Sequence, residues 1–395
     1  MIKKITVSQL RKGMYINDLK CGWLNHPFAL NRFKLENESD IRKIIAAGVK
    51  TIEIDTNKGF DILELKEEKR QKENSGLRKV VDQLDESKPV KVTAIEEMGK
   101  AKVAFAMAGE FITDMMENVK MGQHIELEQV NPVINKLSQS ILRNPNALLG
   151  LSRIRTMDVY TFEHSVSFSV LMMAFAKSMG LSEQIICEVG IGGLLHDIGK
   201  TLTPDEILNK PGKLTPEEFV IMKEHVVHSR KILEKTEGLS QISMDIAAQH
   251  HEKYDGNGYP LGLKGDEISR YGQMSAIVDV YDALTADRCY HTGKEPSEVL
   301  KLLVKWSGAH FNPSLVREFI QSVGIYPAGS LVMLNNHHLA KVVDINENML
   351  KPIVEVFLNA KTRSYIPRKL VDLAKLESIK ILKVESYEKW NVQMD

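Results

Sequence analysis

The stretch GLLHDIGK, residues 193–200, places His196, Asp197 and Lys200 directly behind apolar residues that belong in a core. Charge persists in such surroundings mainly when it is paired or bound to a metal. Residues of the same chemistry recur through the middle of the chain: His164, His225, the adjacent pair His250 and His251, and Asp279. His164 shares a helical stripe with Phe168, Leu171 and Phe175, so it faces inward rather than to solvent. Asp279 interrupts the apolar helical run SAIVDVYDAL. Neighbouring helical residues point about 100° apart, so His250 and His251 suit two ions side by side better than one. Imidazole and carboxylate without thiolate favour Fe or Mn, with Ni, Zn or Mg as alternatives. Asp197 is the natural bridge between the two. Divalent ions about 3.5–4 Å apart supply hydroxide at neutral pH and grip the free oxygens of a phosphodiester. Lys200, three residues beyond Asp197 on the same helix face, would neutralise charge building on the phosphoryl group. The chemistry these residues ask for is phosphodiester hydrolysis.

The elements that must position them are helices. Nearly every long segment between about 147 and 325 reads as helix. TPDEIL from Thr203 and TPEEFVIM from Thr215 each set Thr at the N-cap, Pro at the first helical position and Glu at the third, and Asn312–Pro313 repeats the idea. Residues 96–145 carry helical periodicity and form either one connecting helix or a helix pair. Ahead of them, residues 1–60 alternate β-like runs (ITVSQL, KTIEID) with turn residues and one helical stretch near Asp40–Ala47. From about 63 to 102 charge dominates, and LKEEKRQKENSGLRK reads as a linker or exposed helix. After Tyr326 the runs SLVMLNN, LAKVVDI and KPIVEVFLN predict a small sheet. The expected fold is mainly α: a small mixed α/β regulatory domain with its charged linker in 1–140, a helical catalytic domain in 147–325 and a small β-rich extension in 326–395.

Composition narrows the partners. A chain of 395 residues with 43% hydrophobic content can build two or three ordinary cores. Lys plus Arg and Asp plus Glu each number 52, so no overall field favours a nucleic-acid polymer or an anionic membrane. No stretch reaches the ~20 apolar residues of a membrane span, and no secretory apolar run follows MIKKITVSQL, so the expected compartment is the cytoplasm. Three distant cysteines, Cys21, Cys187 and Cys289, fit a reducing compartment and argue against a thiolate zinc site.

HDIGK (196–200), followed by HHEKYDGNGYP (250–260), resembles the HD-GYP proteins, bacterial phosphodiesterases of cyclic di-GMP within the HD superfamily. VYTFEHS around His164, NKPGKLTPEEFVIMKEH up to His225 and DVYDALTADR from Asp279 extend the likeness over about 147–325. The resemblance implies an all-helical catalytic domain with two divalent ions. Residues matching His164, His196, Asp197 and Asp279 hold one ion; those matching Asp197, His225, His250 and His251 hold the other. It further implies substrate contacts from Lys200, Arg288 and Tyr259, and a Gly258-Tyr259-Pro260 loop that shapes the pocket and offers a surface to diguanylate cyclase domains. Some relatives hold a third metal with a Glu four residues before the first His; Tyr160 stands there, which implies two ions. Where many read Arg-Pro-Tyr followed by Arg or Lys, this chain has Arg288-Cys289-Tyr290-His291. His291 is then a weaker, pH-dependent substrate contact that relaxes the demand for guanine. The N-terminal ITVSQLRKGMYINDL also resembles a small domain that often precedes HD-GYP.

The implied function is opening of cyclic di-GMP to linear pGpG and onward to GMP. The alternatives are a phosphodiesterase preferring 3',3'-cyclic GMP-AMP, or a sensor of cyclic dinucleotides or cyclase partners with little turnover. A homodimer is a candidate assembly.

Overall fold

The computed structural model describes residues 90–153, 160–286, 293–346 and 348–392 and, nearer the N-terminus, 2–7, 10, 12–18, 32–35, 37, 40–41, 43–44 and 51–59; of 160–163 it describes the backbone alone. The charged run LKEEKRQKENSGLRK lies outside the described residues. The chain forms two compact units, Met1–Ser87 and Lys88–Asp395.

The first unit is a four-stranded antiparallel sheet of β1 (Ile2–Thr6), β2 (Tyr15–Asp18), β3 (Phe33–Lys34) and β4 (Thr51–Asp55), in the order β1-β4-β2-β3. Alternation sets its faces. Ile52 and Ile54 of β4 and Ile16 of β2 point to one side and bury with Ile5, Leu10, Met14, Leu35 and Ile44. KTIEID is the strand the sequence predicts; the strand predicted at ITVSQL begins earlier, at Ile2, and turns into a tight helical turn at Val7.

The second unit is a helical assembly closed by a sheet. Its helices are α1 (Ala94–Lys120), α2 (Leu127–Arg143), α3 (Pro145–Leu151), α4 (Tyr160–Ser178), α5 (Glu183–Leu195), the short α6 (Asp205–Leu208), α7 (Pro216–Leu233), α8 (Gln241–Gln249), α9 (Arg270–Thr285), α10 (Pro296–Trp306) and α11 (Pro313–Val323). α4 is the central post: every residue from His164 to Ala176 is buried, as expected of a helix apolar on all sides. Thr215 and Glu218 close the expected capping box on α7, and Asn312 caps α11. Thr203 does not cap α6. It closes the 3₁₀ turn Ile198–Leu202 instead, its amide donating to the Lys200 carbonyl, and α6 starts from Pro204 without a side-chain cap.

α1 and α2 form a helix pair whose apolar faces belong to the same core as the helices behind them. Ala101, Ala108, Ile112 and Met116 of α1 cluster with Phe168 and Phe175 of α4 and Phe319 of α11. The division expected at residue 140 therefore falls inside one core, and the compact unit begins at Lys88. A buried ion pair fastens the helix pair: Arg143 Nε and Nη2 donate to Glu97 at 2.6 and 2.8 Å.

The C-terminal sheet consists of β5 (Leu331–Leu334), β6 (His338–Asp344), β7 (Ile353–Asn359), β8 (Ser364–Asp372) and β9 (Ile381–Glu385), antiparallel throughout in the order β8-β7-β6-β5-β9. The sequence predicts β5, β6 and β7. It misses β8 and β9 because both are edge strands: β8 is mostly exposed and β9 partly so, and neither carries a clear apolar alternation. Asp344, at the end of β6, ties the sheet to the helices: its carboxylate accepts from Ala94 N, Asn144 Nδ2 and Asn146 Nδ2 at 3.3, 2.9 and 2.5 Å. A short α12 (Tyr387–Trp390) follows the sheet. Among the described residues no helix is long and apolar enough to cross a membrane.

Two outcomes are expected from this organisation. A fragment beginning at Lys88 folds cooperatively with helical circular dichroism, whereas one beginning at Leu127 lacks α1, exposes Ile112 and Met116's partners, and aggregates. Arg143→Ala strands the buried Glu97 carboxylate and lowers stability by about 3–5 kcal/mol in chemical denaturation of the full chain.

Candidate metal centre

Five helices, with the 3₁₀ turn that follows one of them, bring the singled-out residues to one place. His164 comes from α4, His196 caps the C-terminus of α5, and Asp197 opens the 3₁₀ turn behind it. His225 comes from α7 and Asp279 from α9. His250 caps α8, and His251 lies in the turn beyond, so the pair marks a helix end rather than a helix interior. The HDIGK turn can seat against α7 because Gly199 has no side chain: a Cβ there would stand 2.1 Å from the His225 carbonyl oxygen and 2.3 Å from Ser229 N. The Gly199 amide donates to Ser229 Oγ at 2.9 Å.

Asp197 lies at the centre with its side chain 1% exposed, and its two oxygens face different histidines. Oδ2 stands 3.2 Å from His196 Nε2 and 3.5 Å from His164 Nε2. Oδ1 stands 3.3 Å from His225 Nε2 and 3.9 Å from His250 Nε2. Asp279 completes the outline, with Oδ1 3.6 Å from His164 Nε2 and Oδ2 3.4 Å from His251 Nδ1. The ligating atoms of His164, His196 and Asp279 form one compact group, those of His225, His250 and His251 a second, and His196, Asp197 and His250 join them.

The donor set fits divalent ions on three observations. First, the rings are aimed. Nδ1 of His196, His225 and His250 bonds the carbonyls of Gly193, Met222 and Ala247 at 2.8, 2.6 and 3.0 Å, and His164 Nδ1 bonds Asp282 at 2.5 Å. A ring that donates from Nδ1 presents the lone pair of Nε2 to the centre, as metal-binding histidines do. Second, Asp197 Oδ1, His225 Nε2 and His250 Nε2 are buried without a hydrogen-bond partner, which proteins rarely leave so. Third, His164 Nε2 and His196 Nε2 approach to 3.2 Å, and two lone pairs at that distance repel unless a cation or proton lies between them.

Protonation follows burial and neighbours. Burial depresses His164, pushes His250 well below the ordinary imidazole value and takes His251 down to about 4, so these rings are neutral and competent to ligate. Burial alone would raise the Asp197 carboxyl, but His196 and Lys200 outweigh it and hold it well below the usual carboxylate range. His196 goes the other way: burial depresses it, Asp197 overcomes that, and its pKa rises. A proton on His196 must leave before the ring can ligate.

The remaining site residues divide. Lys200 Nζ lies 2.5 Å from Asp197 Oδ2, paired with the central carboxylate rather than directed only at a substrate. Tyr259 lies beside His251, ring centroids 4.7 Å apart. Arg288 and His291 lie outside the described residues, as do Cys289 and Tyr290. Sequence reading missed Asp282, which braces His164. Its signal was available: three residues after Asp279 it shares that residue's side of α9.

A buried group of imidazoles and carboxylates around a consecutive His-Asp pair, inside a helical assembly, defines a metal-dependent hydrolase of the HD type. Comparison with known proteins agrees. An HD-domain profile matches residues 132–315, and a profile for a domain of unknown function, DUF3391, matches 2–130, ending beyond the start of the compact helical unit. Cyclic di-GMP phosphodiesterase PA4108 of Pseudomonas aeruginosa is 38% identical across 99% of this chain and 94% of its own length. A cyclic di-GMP phosphodiesterase of Thermotoga maritima is 40% identical over 43% of this chain and 46% of its own, and 3'3'-cGAMP-specific phosphodiesterase 2 of Vibrio cholerae 42% identical over 37% and 28%. The structure of Bd1817, a HDG"Y"P protein from Bdellovibrio bacteriovorus, shares the fold at a TM-score of 0.52 and 17% identity, covering 81% of this chain and 99% of that one. The chain belongs to the HD-GYP family of metal-dependent phosphodiesterases.

The brace on His164 gives a direct test. Asp282→Ala frees the ring and weakens metal binding by about 10–100-fold, while Asp282→Asn, which keeps an acceptor, loses less. Titration with Mn²⁺ against a competing chelator reads the difference.

Proposed function

We propose that this protein hydrolyses cyclic di-GMP to linear pGpG and onward to GMP, using two divalent ions bridged by Asp197. One observation carries the two-ion reading: the oxygens of a single buried carboxylate face separate histidine pairs, Oδ2 toward His164 and His196 and Oδ1 toward His225 and His250. The substrate follows from relatives, PA4108 above all, whose likeness spans both chains nearly end to end. Iron or manganese suits this imidazole and carboxylate set.

Ions held there supply Lewis-acid activation of water and neutralise charge on the phosphodiester. The protein's own groups do the rest. His164, His196 and Asp279 hold one position, His225, His250 and His251 the other, and Asp197 fixes their separation. Lys200 pairs its ammonium with Asp197, and were cations to take that carboxylate it would be free to meet a phosphoryl oxygen and neutralise the charge building there. Tyr259, half-buried against His251, would meet the ribose or base. The buried, unpartnered atoms at the centre favour turnover over the sensor reading, since recognition alone gives no reason to keep such atoms desolvated. A preference for 3',3'-cyclic GMP-AMP is the nearest rival, because Vibrio cholerae relatives carry that specificity in their names.

Anaerobically prepared, metal-analysed protein incubated with both cyclic dinucleotides, with products separated by mass spectrometry, tests the proposal. Conversion of cyclic di-GMP to pGpG at a higher kcat/KM supports it; faster cyclic GMP-AMP turnover shifts the substrate, and binding without turnover in metal-replete protein establishes the sensor. Asp197→Ala lowers turnover on the order of 10³-fold and strips metal from both positions, whereas Lys200→Ala keeps the metal and lowers kcat on the order of 10²-fold.

A further inference from the structure

Four of the five histidines at the centre have a ring nitrogen fastened from behind, by Asp282 or by the carbonyls of Gly193, Met222 and Ala247. His251 differs. Among the described residues its ring makes no such hydrogen bond, and its side chain is 23% exposed where the other four reach 4% at most. Away from His225 and His250, the ring meets Tyr259, eight residues further on.

That segment folds back on itself. Tyr259 N donates to the His251 carbonyl at 3.2 Å, and the Tyr259 ring lies over the imidazole at an interplanar angle of 33°. The turn is drawn back by Glu252, the residue directly after His251. Glu252 is 1% exposed, and its two carboxylate oxygens accept from Leu261 N at 2.8 Å and Leu263 N at 3.1 Å. The return passes so close that a Cβ at Gly258 would stand 2.3 Å from Lys253 N and 2.4 Å from Glu252 Cα, so glycine is required there. On the outer side Lys223 of α7 sets its ammonium 5.7 Å from the Tyr259 ring centre and 5.4 Å from that of Phe219. Tyr259 is thereby held between α7, which carries His225, and the imidazole of His251.

We propose that Glu252 is a positioning residue: by clamping the 258–263 turn it presses Tyr259 against His251 and so sets the affinity of the His225, His250 and His251 group for its divalent ion. The proposal rests on the two-ion reading above. A buried carboxylate accepting two backbone amides is a strong, charge-assisted clamp. It reaches the metal through a ring contact, the role that carbonyl braces fill at the other histidines. The Gly-Tyr-Pro turn then serves as part of the scaffold of the centre as well as its rim.

The test is calorimetric titration of the full-length apoprotein with Mn²⁺, with far-ultraviolet circular dichroism confirming the fold. The wild type binds two ions. Glu252→Ala weakens one of them by about 10–100-fold and leaves the other within about twofold, and Glu252→Gln, with one acceptor left, falls between. Tyr259→Ala reproduces the loss, Tyr259→Phe keeps the ring and with it the affinity, and Glu252→Ala with Tyr259→Ala is no worse than the more severe single change. Unchanged affinity in folded Glu252→Ala, or losses that add in the double variant, overturns the proposal. Should Glu252→Ala fail to fold, the tyrosine pair decides: wild-type affinity in Tyr259→Ala, or equal loss in Tyr259→Phe, overturns it. A wild type that binds fewer than two Mn²⁺ refutes the two-ion reading instead.

Discussion

A carboxylate stripped of water at the meeting point of five helices is the constraint on which the rest of the second unit depends. An isolated charge in such a place is prohibitively unfavourable, so the chain must surround Asp197 with groups that hold it ionised. His196 and Lys200 do this at Oδ2, while Oδ1, buried beside His225 and His250 without a hydrogen-bond partner, is left for a cation. Each is delivered by a helix end or a helix face, and those helices must close to a few ångströms. The missing side chain of Gly199 and the full burial of α4 are the local conditions for that closure.

One local device recurs in aiming the imidazoles. His196, His225 and His250 each bond the carbonyl three residues earlier, Gly193, Met222 and Ala247. For His196 and His250, which stand just past the last residue of a helix, that carbonyl is among those left without an intrahelical partner. A single hydrogen bond therefore both finishes the helix and orients the ring. His164 sits too early in α4 to use a helix end, and its brace comes from Asp282 across the core.

His164, His196, Asp197 and Asp279 were legible because each interrupts an apolar run, where a polar residue stands out against its neighbours, as His164 does above Phe168 and Phe175; His250 and His251 stood out by their adjacency, and His225 only through the family motif. The capping box of α7 and the Asn-Pro cap of α11 were legible for a similar reason, their residue types being tied to fixed offsets. What escaped were relations rather than types. Asp282 and Glu252 look like ordinary acids in sequence, and only their partners 118 residues away and across a tight turn give them their roles. The edge strands β8 and β9 carry no clear apolar alternation, β8 being mostly exposed and β9 partly so. The boundary expected at 140 lies near the change of family profile between 130 and 132, but the packing of α1 into the helical core was not legible, because helical periodicity reports that α1 has an apolar face and is silent on which core that face joins.

The hydrogen bonds of Asp344 bear on how this chain acquires its structure. The start of α1 and the two asparagines at the start of α3 share one carboxylate, and the first of those contacts spans 250 residues. During synthesis the N-terminal helices leave the ribosome long before β6 exists, so the amide at Ala94 and the amides of Asn144 and Asn146 wait for a partner that arrives with the final sheet. Contacts of such high sequence separation are slow to form and leave apolar faces open meanwhile. The enzyme's helical core is thus completed from its C-terminal end, and a chain cut short before β6 would carry its whole set of metal-binding residues on a scaffold still missing its last fastening.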